Sequence, residues 1–122
     1  MPKSKHIPTG VWYRGKLCGT LGIIDVDTDV GSGEIGYWLS SDVEGNGIMT
    51  RACRALISYV FSELQFNRIV IRFEPGNTRS GAIPKRLGFT KEGTLRECGR
   101  RRGDFVDLEV WSVLNREWSG AE

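Results

Sequence analysis

The sequence of 122 residues has little of what several common kinds of site require. It contains one histidine, His6, and three widely spaced cysteines without a CxxC pair, so neither a zinc cluster nor a Ser–His–Asp triad is expected. No apolar run reaches the roughly 18 residues of a membrane-spanning helix, and no apolar stretch follows the basic N-terminus as in a signal peptide. We therefore expect a cytoplasmic protein with reduced cysteines, no metal and no membrane partner.

The charge of the chain is nearly balanced, with 17 basic and 15 acidic residues and a net charge of +2. This balance does not favour nucleic acid as a partner. Glycine is in excess, at 16 residues, which indicates tight turns and close approach of the backbone to a ligand. The length and composition predict a single domain over residues 9–118, between a flexible N-terminal tail (1–8) and a short C-terminal tail (119–122).

The spacing of apolar residues predicts the order of strands and helices. Residues 9–38 have the alternation and turns of an antiparallel meander, and Glu34 to Leu39 is its third strand. Apolar residues recur in steps of four from Ile48 to Leu64, which predicts a helix of about four turns. Arg68 to Phe73 follows as a strand parallel to the third, because strand, turn, helix and strand form a βαβ unit.

The end of the chain predicts a short helix and a hairpin. The helix covers residues 78–87 and contains Pro84, which removes one backbone hydrogen bond. The hairpin has strands at 90–98 and 105–114 around a turn at 99–104. The predicted fold is therefore α/β, with a mixed, mostly antiparallel sheet, one long helix and one short helix.

The segment Gly45-Asn46-Gly47 lies between the third strand and the long helix. The first turn of a helix has backbone N–H groups without intrahelical partners, and the helix dipole makes this end positive. Glycine at such a turn lets an anion approach the backbone, which predicts a seat for a phosphate or pyrophosphate. A tight strand-to-helix turn without a ligand explains the same residues equally well.

Three carboxylates are candidates for a general base. Glu34 opens the third strand among small and apolar residues, whereas Asp107 and Glu109 share one face of the last strand with aromatic residues. A carboxylate in such surroundings can have a raised pKa and accept a proton. For Asp107 and Glu109 we favour an exposed polar face or an ion pair with a nearby arginine.

A basic group, Arg96 and Arg100 to Arg102, lies at the last hairpin. An exposed, charged hairpin tip is the favoured explanation of these residues. Contact with RNA, an acidic substrate or the phosphates of a cofactor is the functional alternative.

Four motifs in a fixed order resemble one known family. They are EIGYWL at Glu34–Leu39, EGNGIMT at Glu44–Thr50, EPGNTRS at Glu74–Ser80 and RLGF at Arg86–Phe89. Together they resemble the GNAT superfamily of N-acetyltransferases, and most of all the branch that acetylates the N-termini of ribosomal proteins. The resemblance covers the chain from Val11 to Trp118.

The resemblance implies acetyl-CoA as the co-substrate. Its pyrophosphate would lie on backbone amides at the start of the long helix, and its pantetheine arm would pair with the third strand where two parallel strands splay apart. The cofactor-binding residues implied are Trp38, Leu39, Gly45, Asn46, Gly47, Ile48, Met49, Thr50, Asn77 and Ser80.

The resemblance also implies direct attack of a primary amine, such as a protein N-terminus, on the thioester. Glu34 would be the base and Ser80 the acid, with Asn77 beside them. Pro84 stands where many members carry a tyrosine acid, so Ser80 or water would protonate the leaving thiolate. Asp107, Glu109 or water remain alternatives for the base.

The family normally opens with a strand and two helices that this sequence lacks. The resemblance therefore implies an acceptor groove without one wall, which a second copy of the chain in a homodimer could supply. The alternative function is a non-catalytic module that binds CoA, RNA or another protein on the same fold.

Overall fold

The computed structural model describes residues 7–13, 16–39 and 47–119. The elements are, in chain order, β1 (Ile7–Tyr13), β2 (Lys16–Asp27), β3 (Ser32–Leu39), α1 (Ile48–Ser62), β4 (Arg68–Phe73), α2 (Thr78–Arg86), β5 (Thr90–Arg101), β6 (Asp104–Leu114) and a 3-10 helix (Asn115–Glu117). The strands form one six-stranded sheet in the order β1-β2-β3-β4-β6-β5. Among these strands only β3 and β4 pair in parallel, which confirms the predicted mixed, mostly antiparallel α/β fold.

Helix α1 forms because its apolar residues recur at helical spacing. The row predicted by steps of four, Met49, Cys53, Ile57 and Phe61, is buried against the sheet. The helix runs from Ile48 to Ser62, which confirms the predicted helix of about four turns.

Strand β4 shows how the sheet divides into two faces. Ile69, Ile71 and Phe73 are buried under the helices, and each contributes about 2 kcal/mol of apolar burial. Arg68 and Arg72 alternate with them and point to the opposite face. Among the described residues, α1 and α2 both cover the first face, and no helix lies on the second.

The β5–β6 hairpin is tighter than the sequence predicts. The expected loop at 99–104 is wrong, because β5 continues to Arg101 and β6 begins at Asp104. The turn residues Arg102 and Gly103 both have positive φ, 54° and 86°, as a two-residue type I′ turn requires. Two register shifts in β5 accommodate the extra residues of that strand.

The start of the sheet lies inside the predicted N-terminal tail. Strand β1 begins at Ile7, because Ile7 and Pro8 pair with Ile23 and Gly22 of β2. Residues 1–6 of that tail, and residues 120–122 of the C-terminal tail, lie outside the described residues. None of the helices in the described part of the chain is long and apolar enough to cross a membrane.

Candidate active site

The parallel strands β3 and β4 part after a short ladder. The ladder has three pairs, Ser32↔Arg68, Gly33↔Ile69 and Glu34↔Val70. Beyond it, β3 continues beside β2 and β4 continues beside β6. The backbone groups of β3 that face β4 are therefore left outside this ladder. We call the gap between residues 35–39 of β3 and residues 71–73 of β4 the β3–β4 cleft.

Both α-helices begin at the open end of the β3–β4 cleft. Helix α1 is the element that follows β3, and helix α2 is the element that follows β4. In α/β sheets, ligands bind outside the carboxyl ends of parallel strands, where helix N-termini collect. The topology therefore places the candidate site at this end of the cleft.

The N-terminus of α1 offers backbone donors to an anion. The N-cap residue Gly47 has a left-handed conformation (φ 70°, ψ 10°) and provides no side-chain cap, and the first turn holds no acidic residue. The N–H groups of this turn are consequently not neutralised by the helix's own side chains. A Cβ on Gly47 would lie 3.2 Å from Arg51 Nη1, so a guanidinium lies beside these donors.

The N-terminus of α2 is held by two side chains. Asn77 Oδ1 accepts a hydrogen bond from the Ser80 backbone N–H at 3.1 Å and so caps the helix. The Tyr37 hydroxyl of β3 donates to the Ser80 carbonyl oxygen at 2.8 Å. Because Tyr37 and Ser80 belong to opposite sides of the β3–β4 cleft, this second bond spans it.

Glu34 is the last β3 residue of the ladder, and its carboxylate is ion-paired. Arg72 Nε donates to Glu34 Oε2 at 3.0 Å, and the Glu34 side chain is 15% exposed. The hydrogen bond to Glu34 raises the pKa of Arg72, so the guanidinium stays charged. Both side chains lie on the helix-free face of the sheet at the mouth of the cleft. The bond to Arg72 uses one of the two carboxylate oxygens of Glu34, Oε2.

The other two candidate bases have structural partners. Asp107 Oδ1 accepts a hydrogen bond from the Glu97 backbone N–H at 2.9 Å. Glu109 Oε1 accepts from Trp111 Nε1 at 2.9 Å and lies 3.8 Å from Lys91 Nζ. The ion-pair partner of Glu109 is thus a lysine, not the arginine that the sequence suggested.

Two of the hairpin arginines are engaged within the chain. Arg101 Nε donates to both carboxylate oxygens of Glu74, at 3.0 and 2.9 Å. The guanidinium of Arg100 lies over the ring of Phe105, 4.7 Å from its centroid. These contacts favour a charged hairpin tip over a surface built for RNA.

The structure brings most of the predicted cofactor residues to the open end of the cleft. The side chains of Ile48, Met49 and Thr50 are buried, so these residues can face a ligand only with their backbone. Trp38 is 62% exposed on the part of β3 that has left β4, and Leu39 ends that strand. Gly45 and Asn46, the first two residues of the glycine segment, lie outside the described residues.

Sequence reasoning did not find Arg72 and Tyr37 as parts of this site. The alternation of β4 already separates Arg72 from its buried neighbours, which was the signal for a charge on the face of Glu34. For Tyr37 the signal was Pro84, because a proline inside a helix leaves one carbonyl in need of another donor.

The fold and the cleft define an α/β protein that can hold a ligand between two parallel strands and two helix N-termini. The chain belongs to the GNAT acetyltransferase family, since the family model described as "Acetyltransferase (GNAT) domain" matches residues 6–90. It is 44% identical over 114 residues, or 93% of its length, to the Bacillus subtilis protein named "Putative ribosomal N-acetyltransferase YdaF". It is 26% identical over 85% of its length to the ribosomal-protein-serine acetyltransferase of Escherichia coli.

Solved structures agree with this membership. The microcin C7 self-immunity acetyltransferase MccE, solved with acetyl-CoA and AMP, superposes with a TM-score of 0.85 at 30% identity over 90% of this chain. The chain spans 62% of the Bacillus subtilis relative, 58% of the Escherichia coli relative and 61% of MccE.

Proposed function

We propose that this domain is an acetyl-CoA-dependent N-acetyltransferase that transfers an acetyl group to a primary amine. The observation that carries the proposal is the three-pair β3–β4 ladder, which opens where both helices begin. Acetyl-CoA carries its thioester on a long polar arm, which can pair with an open strand edge. Its phosphates need a positive group, such as the N-terminal end of a helix. The cleft offers both within one site.

The residues at the cleft fit acetyl-CoA. The first-turn N–H groups after Gly47, with Arg51 beside them, suit a pyrophosphate. The free edge of β3 near Trp38 and Leu39 suits the amide groups of a pantetheine arm, which can pair with a strand backbone. When bound, acetyl-CoA supplies the acetyl group as an activated thioester.

Two side chains at the cleft carry out the two proton transfers, one from the acceptor amine and one to the leaving sulfur. The acceptor amine must lose a proton before or during its attack, and Glu34 accepts that proton directly or through a water. Backbone N–H groups on the free edge of β3 stabilise the oxygen that gains negative charge. Ser80, at the start of α2 on the other side of the cleft, donates a proton to the leaving sulfur, and Asn77 fixes the helix turn that carries it.

A protein N-terminus is the acceptor that we propose. Glu34 lies on the helix-free face of the sheet, so an amine reaches it from that side without displacing α1 or α2. The Escherichia coli relative is named for serine acetylation of a ribosomal protein, which supports this acceptor class. Peptides that begin with serine are the first acceptors to assay, with release of free thiol as the signal.

We expect Gly47→Asp to weaken CoA binding about fivefold or more relative to Gly47→Asn. Both side chains have the same size and tolerate the left-handed conformation of Gly47, but only aspartate adds a negative charge beside the first turn of α1. At a separation of about 4 Å, repulsion by the pyrophosphate amounts to 1 kcal/mol or more, depending on exposure. Titration calorimetry with CoA and acetyl-CoA measures the difference, which should shrink at high salt.

Two results of this titration would contradict the cofactor assignment. One is the absence of any binding by the unchanged protein up to millimolar acetyl-CoA. The other is equal affinity of the Asp and Asn variants, which would move the phosphates away from α1. The Gly88→Ala variant is the control for left-handed strain, because Gly88 has φ 82° and lies at the far end of α2. It should leave affinity unchanged.

We expect Ser80→Ala to lower kcat about tenfold with little change in acetyl-CoA affinity, because a thiolate is a fair leaving group that needs only modest acid assistance. Steady-state rates and calorimetry on the same preparation separate the two effects. Thr78→Ala, at the first residue of α2, is the matched loss of a hydroxyl. An unchanged kcat for Ser80→Ala would assign the proton to water instead.

A further inference from the structure

Helix α2 lacks one backbone N–H donor, and a side chain of strand β3 donates a hydrogen bond in its place. Residues in an α-helix donate their N–H to the carbonyl four residues earlier, so residue 84 should serve the carbonyl of Ser80. Residue 84 is a proline, which has no N–H, and it is almost fully buried. The Ser80 carbonyl instead accepts a hydrogen bond from the Tyr37 hydroxyl at 2.8 Å.

The Tyr37 hydroxyl is well suited to remain a donor. Burial raises the pKa of Tyr37 above its ordinary value, so the hydroxyl keeps its proton throughout the working pH range. The side chain comes from β3 and lies on the helix-covered face, three residues beyond the last pair of the β3–β4 ladder. The bond therefore connects the free edge of β3 to the helix that follows β4.

We infer that Tyr37 is a positioning residue. Its hydroxyl donates to the Ser80 carbonyl oxygen, for which Pro84 provides no N–H, and thereby holds Ser80 at a fixed place across the β3–β4 cleft. The catalytic part of this inference rests on the role proposed above for Ser80. The structural part, the exchange of a helix donor for a tyrosine, stands without it.

A double-mutant cycle tests the structural part. Tyr37→Phe keeps the ring and leaves a part-buried carbonyl without its donor, which we expect to lower Tm by about 5 °C. In a Pro84→Ala background the N–H of residue 84 can serve Ser80, so the same change should cost less than about 2 °C. Pro84→Val, which keeps more of the buried volume, replaces Pro84→Ala if that variant does not fold. Tyr59→Phe, at an exposed tyrosine of α1, is the matched control and should leave Tm unchanged.

Kinetics test the positioning part. We expect Tyr37→Phe, assayed well below its Tm, to lower kcat about fivefold with KM for acetyl-CoA within about twofold, since a small displacement of a reacting group slows chemistry more than binding. In the Pro84→Ala background, adding Tyr37→Phe should lower kcat by a smaller factor than it does in the unchanged chain.

The two parts of the inference fail separately. If Tyr37→Phe lowers Tm equally with and without the Pro84→Ala change, the donor exchange is overturned, whether or not the protein is an enzyme. A Tm loss with unchanged kcat would keep the bond and overturn the positioning of Ser80. Failure of the proposed function itself would appear as absence of turnover in the unchanged protein, and the Tm cycle would still decide the donor exchange.

Discussion

Replacing Glu34 by glutamine is expected to slow acetyl transfer about 100-fold, in the range found when a general base is removed. Glutamine keeps the shape of the side chain and can still accept a hydrogen bond from Arg72, but it cannot take a proton from the acceptor amine. Acetyl-CoA affinity should stay within about twofold, because Glu34 lies on the face away from both helix N-termini. Thiol-release rates at saturating acetyl-CoA, together with calorimetry, measure both quantities.

Because Glu34 is ion-paired with Arg72, a slower rate in Glu34→Gln has two possible explanations. Either the general base is lost or Arg72 is left unpaired, and two further variants distinguish these explanations. If Glu34 only neutralises Arg72, its replacement leaves an unpaired guanidinium, and Arg72→Gln in the same chain should restore the rate. If Glu34 is the base, the double variant stays slow. Glu109→Gln is the matched control, because Glu109 is a glutamate of similar exposure, 17%, that also has a cationic neighbour. A large loss in Glu109→Gln with a normal rate in Glu34→Gln would transfer the role of base to Glu109.

The elements around the cleft could be predicted from the sequence because each has a local pattern. Steps of four in α1 and strict alternation in β4 report which side of each element is buried, and the structure confirms both. The β5–β6 turn could not be predicted, because it depends on Arg102 adopting a left-handed conformation that arginine seldom takes. Six polar and glycine residues at 99–104 looked like a loop, although four of them continue the strands.

The two contacts that define the site are long-range, and this limits what the sequence can reveal. Glu34 and Arg72 are 38 residues apart, and Tyr37 and Ser80 are 43 apart. Alternation predicts the face on which each residue lies, but the register of a parallel pair separated by a helix has no local signal. Pro84 marked a missing donor within α2, yet only the packing of α2 against β3 shows that Tyr37 replaces it.

Gly81→Ala is expected to destabilise the fold by about 2 kcal/mol, within the cost of overpacking a core, although the same change in an open helix stabilises by about 1 kcal/mol. A Cβ on Gly81 would lie 2.7 and 2.9 Å from two ring atoms of Phe73, inside the contact limit. The ring has little room to move, because Phe73 is 7% exposed and packs against Trp111 with ring centroids 6.3 Å apart. Urea unfolding followed by tryptophan fluorescence measures the change.

Whether Gly81→Ala destabilises or stabilises the fold tests how closely α2 packs against the end of β4. Phe73→Leu removes the ring atoms in question, so Gly81→Ala should cost much less in that background and can even become favourable. If Gly81→Ala stabilises the unchanged chain, α2 has freedom to move away from β4. In that case Ser80, the preceding residue of the helix, would not be held in place by the packing of α2. A destabilised Gly81→Ala variant that Phe73→Leu rescues would instead mean that Phe73 and Tyr37 together fix the start of α2, one by contact and one by a hydrogen bond.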